Sequence, residues 1–170
     1  SYENIKEIIY NSAKVYGNQT AYVIKNKEEG DVSYTNISYT KLLEDINALG
    51  TALYSLGFNG KRIAIIGINR YEWILAHLAN VMGGIVSIPL DKDLQLDELE
   101  SPLIRSKADA IIYDDKLSDF MSEIKQREHT NVKEFFCMTG DIADLIKKGN
   151  ELVEGGDRSY IDYKINSNEM

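Results

Sequence analysis

The stretch from Ile37 to Asp91 constrains the fold more than any other, because it reads as helix, buried strand, helix, buried strand. Ser38 is placed to cap a helix, where its hydroxyl accepts from a first-turn N–H. Leu42, Ile46, Leu49, Leu53 and Leu56 then recur every three or four residues and line one helical face. Gly57 falls where a left-handed residue ends a helix. Ile63-Ala64-Ile65-Ile66 is apolar without alternation, the pattern of a strand covered on both faces in a parallel sheet. Trp73, Ile74, His77, Leu78 and Val81 give the next helix. Gly83 and Gly84 turn the chain sharply, and Ile85 to Leu90 is the next strand, closed by Pro89.

The same rhythm continues to residue 153. Leu96, Leu99, Leu103 and Ile104 mark a helix, Ala110 to Tyr113 a strand, Phe120 and Ile124 a helix, Val132 to Met138 a strand, and Ile142 to Val153 a last helix. Strands separated by helices favour right-handed crossovers and a parallel sheet with helices on both faces. Before this core, residues 2–16 carry Ile5, Ile8, Ile9 and Val15 at helical spacing. Ala21 to Lys25 and Val32 to Ile37 flank the polar turn Glu28-Glu29-Gly30-Asp31, which suggests an antiparallel hairpin. The expectation is therefore an α/β fold: a three-layer α/β/α unit over residues 1–153, with a mainly parallel sheet and an N-terminal β-hairpin. Residues 154–170 are polar, contain Gly155-Gly156, and read as an excursion or linker.

The 170 residues suffice for one domain without staples, because a chain this long buries roughly 70% of its unfolded surface. A net charge of -8 repels phosphate backbones and argues against nucleic acid as a partner. Cys137 is the sole cysteine, which excludes an intrachain disulfide, and its apolar run Phe135 to Met138 suggests a buried core thiol. No apolar stretch approaches the ~20 residues of a membrane span, and the N-terminus lacks a signal design, so a cytoplasmic location is expected. The sequons Asn18-Gln19-Thr20 and Asn36-Ile37-Ser38 are then chance matches. The first residue is Ser1, so the natural start is expected to be missing.

Local chemistry is sparse. Gly57-Phe58-Asn59-Gly60-Lys61 lacks phosphate-loop spacing and precedes a strand, so it reads as a helix stop and turn. No Gly-x-Gly-x-x-Gly follows a strand, and no Gly-x-Ser-x-Gly elbow is present. His77 and His129 lack partner spacing for a metal, and His77 reads as a packed or capping histidine. Asp91 and Asp114-Asp115 follow strands, where α/β folds place sites, yet the same residues also begin ordinary turns. A phosphoacceptor receiver would need an acidic pair after its first parallel strand, and Gly67-Ile68-Asn69 offers none.

Four segments together resemble the N-terminal part of the AMP-forming acyl-adenylating enzymes, the superfamily of acyl-CoA ligases, luciferases and peptide-synthetase adenylation domains. They are Ile37 to Leu43, Lys61 to Gly67, Asn69-Arg70-Tyr71-Glu72-Trp73, and Met82 to Asp91. Asn69-Arg70-x-Glu72-Trp73 leans towards long-chain fatty acyl-CoA ligases, with Tyr71 replacing the usual Pro. Ile146-Lys147-Lys148-Gly149 and Asn168-Glu169-Met170 look similar to that subfamily too. Lys41 stands where the family usually has an acidic residue, which removes a possible capping box. The resemblance implies the first subdomain of the adenylating fold. In such enzymes a short strand and a Ser/Thr/Gly-rich phosphate loop come next, and the adenine-binding motif, the ribose-binding Asp and the catalytic Lys lie further on. It therefore implies ATP, Mg²⁺, coenzyme A and a fatty acid for the full-length enzyme, while no catalytic, cofactor-binding or metal residue carries over to this chain. The segment is expected to be an inactive scaffold whose partner is the remainder of its own enzyme. Its exposed docking face would favour dimers. The alternative is a standalone flavodoxin-like module binding a small molecule or protein. Tyr71 and Trp73 could touch an acyl or CoA end, but at helical spacing they read as core.

Overall fold

The computed structural model describes residues 4–166. The chain begins with α1 (Ile5–Tyr16), whose cap Asn4 accepts from the Glu7 N–H at 2.9 Å. The expected helix began at residue 2, and its first two positions lie outside the described residues. Next come β1 (Thr20–Glu28) and β2 (Asp31–Ser38), an antiparallel pair that forms its own two-stranded sheet. Glu29 and Gly30 both have positive φ, 47° and 88°, as a tight hairpin turn that matches strand twist requires. Only the base of the hairpin is anchored, by Ala21, Tyr22, Ile24 and Ile37 against the core.

Ser38 starts α2 (Tyr39–Ser55) and accepts from the Lys41 N–H at 3.1 Å. Lys41 turns its amine to Asp45 at 3.0 Å, a helical i,i+4 pair. Then follow β3 (Arg62–Ile66), α3 (Tyr71–Met82), β4 (Val86–Leu90), α4 (Leu96–Ser106) and β5 (Ala110–Tyr113). A short 3₁₀ turn (Asp115–Leu117) leads into α5 (Ser118–Arg127), then β6 (Glu134–Cys137) and α6 (Asp141–Glu154). The four strands of the second sheet are all parallel, in the order β4-β3-β5-β6.

Alternate residues of the central strands feed two separate cores, which makes the unit three-layered. Ile63, Ile65, Ala110, Ile112 and Phe136 face α2, α3 and α6, against Ile46, Leu49, Leu53, Leu75, Met82 and Ile142. Ala64, Ile66 and Ile111 face α4 and α5, against Leu99, Leu103, Met121 and Ile124. Both sides of β3 are sealed, so unbroken apolar runs are required where a one-sided strand would alternate. Each such Leu or Ile contributes about 1.5–3 kcal/mol by burial. Pro89 lies in β4, an edge strand, where a missing N–H can face outward without breaking the ladder.

Two local expectations change. Cys137 ends β6 only half-buried, because the core contacts of that strand fall on Phe136 and of the following turn on Met138. The segment after α6 is polar in composition, yet Tyr160 within it is 1% exposed and belongs to the larger core.

Candidate functional site

The strand order reverses between β3 and β5: the chain steps from β3 outward to β4, then crosses back to the other side of β3. In open parallel sheets, ligands enter the crevice at the carboxyl ends of the strands beside such a reversal. Here that rim is built from the turns after β3, β4, β5 and β6. A cleft of about 120 Å³ opens there, lined by Gly67, Ile68, Lys92, Asp93, Asp114, Lys116 and Leu117. Larger and more open concavities, such as one of about 540 Å³ between α1 and the segment after α6, lie away from the rim. Topology, not size, makes the rim the candidate.

Arg70 organises the rim. It sits one residue before α3 with an extended backbone, so its side chain is free to reach across the strand ends. Its Nε donates to Glu72 at 2.9 Å. Nη1 donates to Asp114 at 3.3 Å and Asp115 at 3.2 Å, and Nη2 donates to Thr139 at 3.3 Å. One guanidinium thus ties together the turns after β3, β5 and β6. Five donors in a fixed plane make this possible for Arg and not for Lys. The Glu72 hydrogen bond, followed by the Asp114 contacts, raises the Arg70 pKa further above its already high ordinary value. Asp114 is 2% exposed and also accepts from the Lys116 N–H at 3.0 Å.

The carboxylates considered from sequence separate clearly. Asp114 and Asp115 meet at Arg70, whereas Asp91 is exposed and accepts from the Asp93 N–H at 2.9 Å, a local turn contact. Hydrogen bonding within the Asp114–Asp115 pair, ahead of the Thr139 and Arg70 contributions, lowers the Asp115 pKa. Gly57 and Gly60 have φ of 89° and 71° and form the turn expected between α2 and β3. His129 contacts Glu100, which also takes Arg127 at 2.8 Å. Tyr71 is core: its ring packs on Tyr22 and its hydroxyl donates to Asp45 at 2.8 Å. The role of Arg70 as an organiser was missed from sequence, although an Arg between a buried strand and a helix was the available signal.

His77 is packed, as its spacing suggested. Its ring stacks on Trp73, with centroids 5.5 Å apart, and Nδ1 lies 3.0 Å from Ser87 Oγ on β4. Burial holds its pKa below the ordinary value. The unfolded chain therefore takes the proton more readily than the folded one. The His77 contribution to stability is intact above about pH 6.5 and is lost as pH falls through that value towards the lower folded pKa. Urea midpoints from pH 8 to 5 should show this loss, and His77→Gln should remove part of it. An identical pH slope in the variant would refute the assignment.

Among the described residues, no group of three or more His, Cys, Asp or Glu side chains is arranged to hold a metal ion. The rim carries Arg70, Lys92 and Lys116 against Glu72, Asp93, Asp114 and Asp115, and Lys92 is paired with Asp93 at 3.0 Å. This donor set does not suit a polyphosphate. The cleft is also well below the roughly 300–1,000 Å³ of small-molecule sites. ATP, Mg²⁺ and coenzyme A do not fit the rim of this chain alone.

Comparison with known proteins decides what the topology leaves open, since the order β4-β3-β5-β6 also fits a flavodoxin-like module. The N-terminal domain of FACL13 from Mycobacterium tuberculosis superposes with a TM-score of 0.73 at 20% identity, over 86% of this chain and 36% of that one. The long-chain-fatty-acid-CoA ligase FadD1 from Archaeoglobus fulgidus gives a TM-score of 0.74 at 17% identity, over 94% of this chain and 31% of that one. These likenesses show the fold. By sequence, the mitochondrial medium-chain acyl-CoA ligase ACSF2 of Bos taurus is 26% identical over 121 residues, which is 69% of this chain and 18% of the relative. Fatty acyl-CoA synthetase A of Dictyostelium discoideum is 32% identical over 95 residues, 55% of this chain and 14% of the relative. The chain thus spans less than a fifth of the length of these curated relatives. The family model described as AMP-binding enzyme matches residues 9–153, nearly the whole described fold, and the chain belongs to that family.

Proposed function

We propose that this chain is the front scaffold of an AMP-forming fatty acyl-CoA ligase. The family match over residues 9–153, in a chain covering 18% of its ligase relative, carries the reading. In the whole enzyme a fatty carboxylate attacks the α-phosphate of ATP, giving acyl-AMP and pyrophosphate. The coenzyme A thiolate then displaces AMP. Oriented backbone donors, cations and Mg²⁺ must stabilise the charge that develops in both steps. The rim described above supplies a rigid wall, held by Arg70, against which such groups can be set. The remainder of the enzyme is its partner, and a fatty acid is the carboxylate substrate of the whole enzyme; the relatives that support this are named as medium-chain acyl-CoA ligase and fatty acyl-CoA synthetase. No helix among the described residues is long and apolar enough to cross a membrane. A cytoplasmic site of action is proposed together with this chemistry, and dimers of the isolated chain would draw on exposed apolar side chains such as Val32 and Tyr34 of β2.

The test has two arms. The purified 170-residue chain, given ATP, Mg²⁺ and a fatty acid, should release no pyrophosphate above a no-protein blank. The same chain extended by the coding sequence after Met170 should release pyrophosphate only when fatty acid is present. Turnover by the 170-residue chain would overturn the scaffold reading. A stop codon directly after Met170 would overturn the ligase reading and leave a small binding module.

A further inference from the structure

We infer that the folding unit closes with Asp157–Tyr163, a two-tyrosine clasp seated in a glycine-lined notch and tied to α1, rather than with the last residue of α6. After α6, Gly156 turns the chain with φ of 100°. Asp157 then nucleates a compact turn, its Oδ1 accepting from the Ser159 N–H at 3.0 Å and the Ser159 hydroxyl at 2.7 Å. The Asp162 N–H donates to the Arg158 carbonyl at 2.9 Å, and the Tyr163 N–H to the Tyr160 carbonyl at 3.1 Å. A flexible linker has no such internal order.

The turn aims Tyr160 inward. Its ring lies edge-on to Tyr54 with centroids 5.1 Å apart, and its hydroxyl donates to the Ala79 carbonyl at 2.7 Å. That carbonyl belongs to the last turn of α3, where helix acceptors lack intrahelical partners. The Gly83 N–H, four residues on, bonds Asn80 instead, so Tyr160 satisfies the orphan. The notch is cut to this ring. A Cβ on Gly50 would lie 2.1 Å from it, and a Cβ on Gly83 would lie 2.3 Å away. Beside it, a Cβ on Gly84 would lie 2.3 Å from the Tyr163 hydroxyl. Three glycines on two elements clear space for two tyrosines, which a passing linker would not need.

The clasp also joins the two ends of the described chain. Lys6 on α1 donates to the carbonyls of Ile161, at 2.7 Å, and Tyr163. Removing the clasp should therefore loosen α1 as well as the α2–α3 notch. It also fixes where the chain leaves. Tyr163 abuts Gly84, at the amino end of β4, whereas the rim lies at the carboxyl ends.

Hydrogen exchange on the 170-residue chain tests this directly. The Tyr163 and Asp162 amides should exchange at least 100-fold slower than in an unstructured peptide, and exchange at the free-peptide rate would overturn the clasp. Tyr160→Ala should lower Tm by roughly 10 °C and raise exchange across α1 more than 10-fold. A Tm within 2 °C of the parent with unchanged α1 exchange would overturn it. If Tyr160→Ala does not fold, Lys6→Met decides. Faster α1 and Tyr163 exchange in that variant supports the clasp, and unchanged exchange at both overturns it. The inference stands independently of the ligase reading.

Discussion

Gly149→Ala should destabilise the chain by at least about 3 kcal/mol, although alanine is the better helix former by ~1 kcal/mol. Gly149 lies inside α6, where the helix crosses α2 at backbone contact. A Cβ there would sit 1.7 Å from the Ala48 carbonyl oxygen, 2.4 Å from its carbon and 2.8 Å from its Cα. None of these atoms is the end of a flexible side chain, so relief requires moving a helix by more than an ångström. Ala48 is fully buried, and α2 is fixed by Ile46, Leu49 and Leu53, all with no exposure. The yielding element is α6, which then lifts Ile142, Leu145 and Ile146 off the core above Phe136 and Met138. Gly155→Ala is the control. That residue has φ of -76° in the α region, and its Cβ would come no closer than 3.4 Å to any atom. Urea unfolding followed by circular dichroism should show a near-neutral Gly155→Ala and a severe Gly149→Ala. A Gly149→Ala loss below 1 kcal/mol would mean that the α2–α6 crossing is not at backbone contact.

Two glycines inside helices, Gly50 and Gly149, show where sequence reading stopped. Elements whose signals are local were legible: the Glu29-Gly30 turn, the Ser38 cap, and the apolar runs of β3 and β5 that require cover on both faces. Gly50 and Gly149 are also visible in sequence, as glycines inside helical patterns, and such residues signal close approach. What approaches is set by tertiary structure, Tyr160 for one and Ala48 for the other, and no spacing rule supplies it. Tyr160 was hidden because twelve of the seventeen residues from Glu154 to Met170 are polar or glycine, while the burial falls on one tyrosine. The half-exposure of Cys137 has a related cause: at the end of a short strand, an apolar run does not fix which residue faces the core. The rim was legible only in part. Asp114-Asp115 after a strand was a visible feature, but the guanidinium that gathers it with Glu72 and Thr139 lies 44 residues earlier in the chain than Asp114. The family, by contrast, was legible from ordered motifs, since their order along the chain carries information that no single motif has.

Arg70→Ala should cost about 3 kcal/mol, and the loss should be traceable to one carboxylate. Of the three acids Arg70 touches, the Asp115 side chain is 54% exposed and that of Glu72 28%, so solvent compensates much of their loss. Asp114 differs: its side chain is 3% exposed, and without Arg70 its remaining hydrogen bond is from the Lys116 N–H. A buried carboxylate without its countercharge is the expensive state, not the missing contact itself. Removing the charge should therefore relieve the defect. In an Arg70→Ala background, Asp114→Asn should recover 1–2 kcal/mol, although alone it weakens the rim; that is a coupling of the size seen for contacting residues. Arg70→Lys should fall between, because an ammonium keeps the charge but cannot bridge three turns at once. Urea midpoints for the two single variants and the double variant form the cycle. Strict additivity would show that Arg70 and Asp114 act separately, and the rim would lose its organising centre. Non-additivity would establish that the Arg70 guanidinium couples the turn after β3 to the turn after β5.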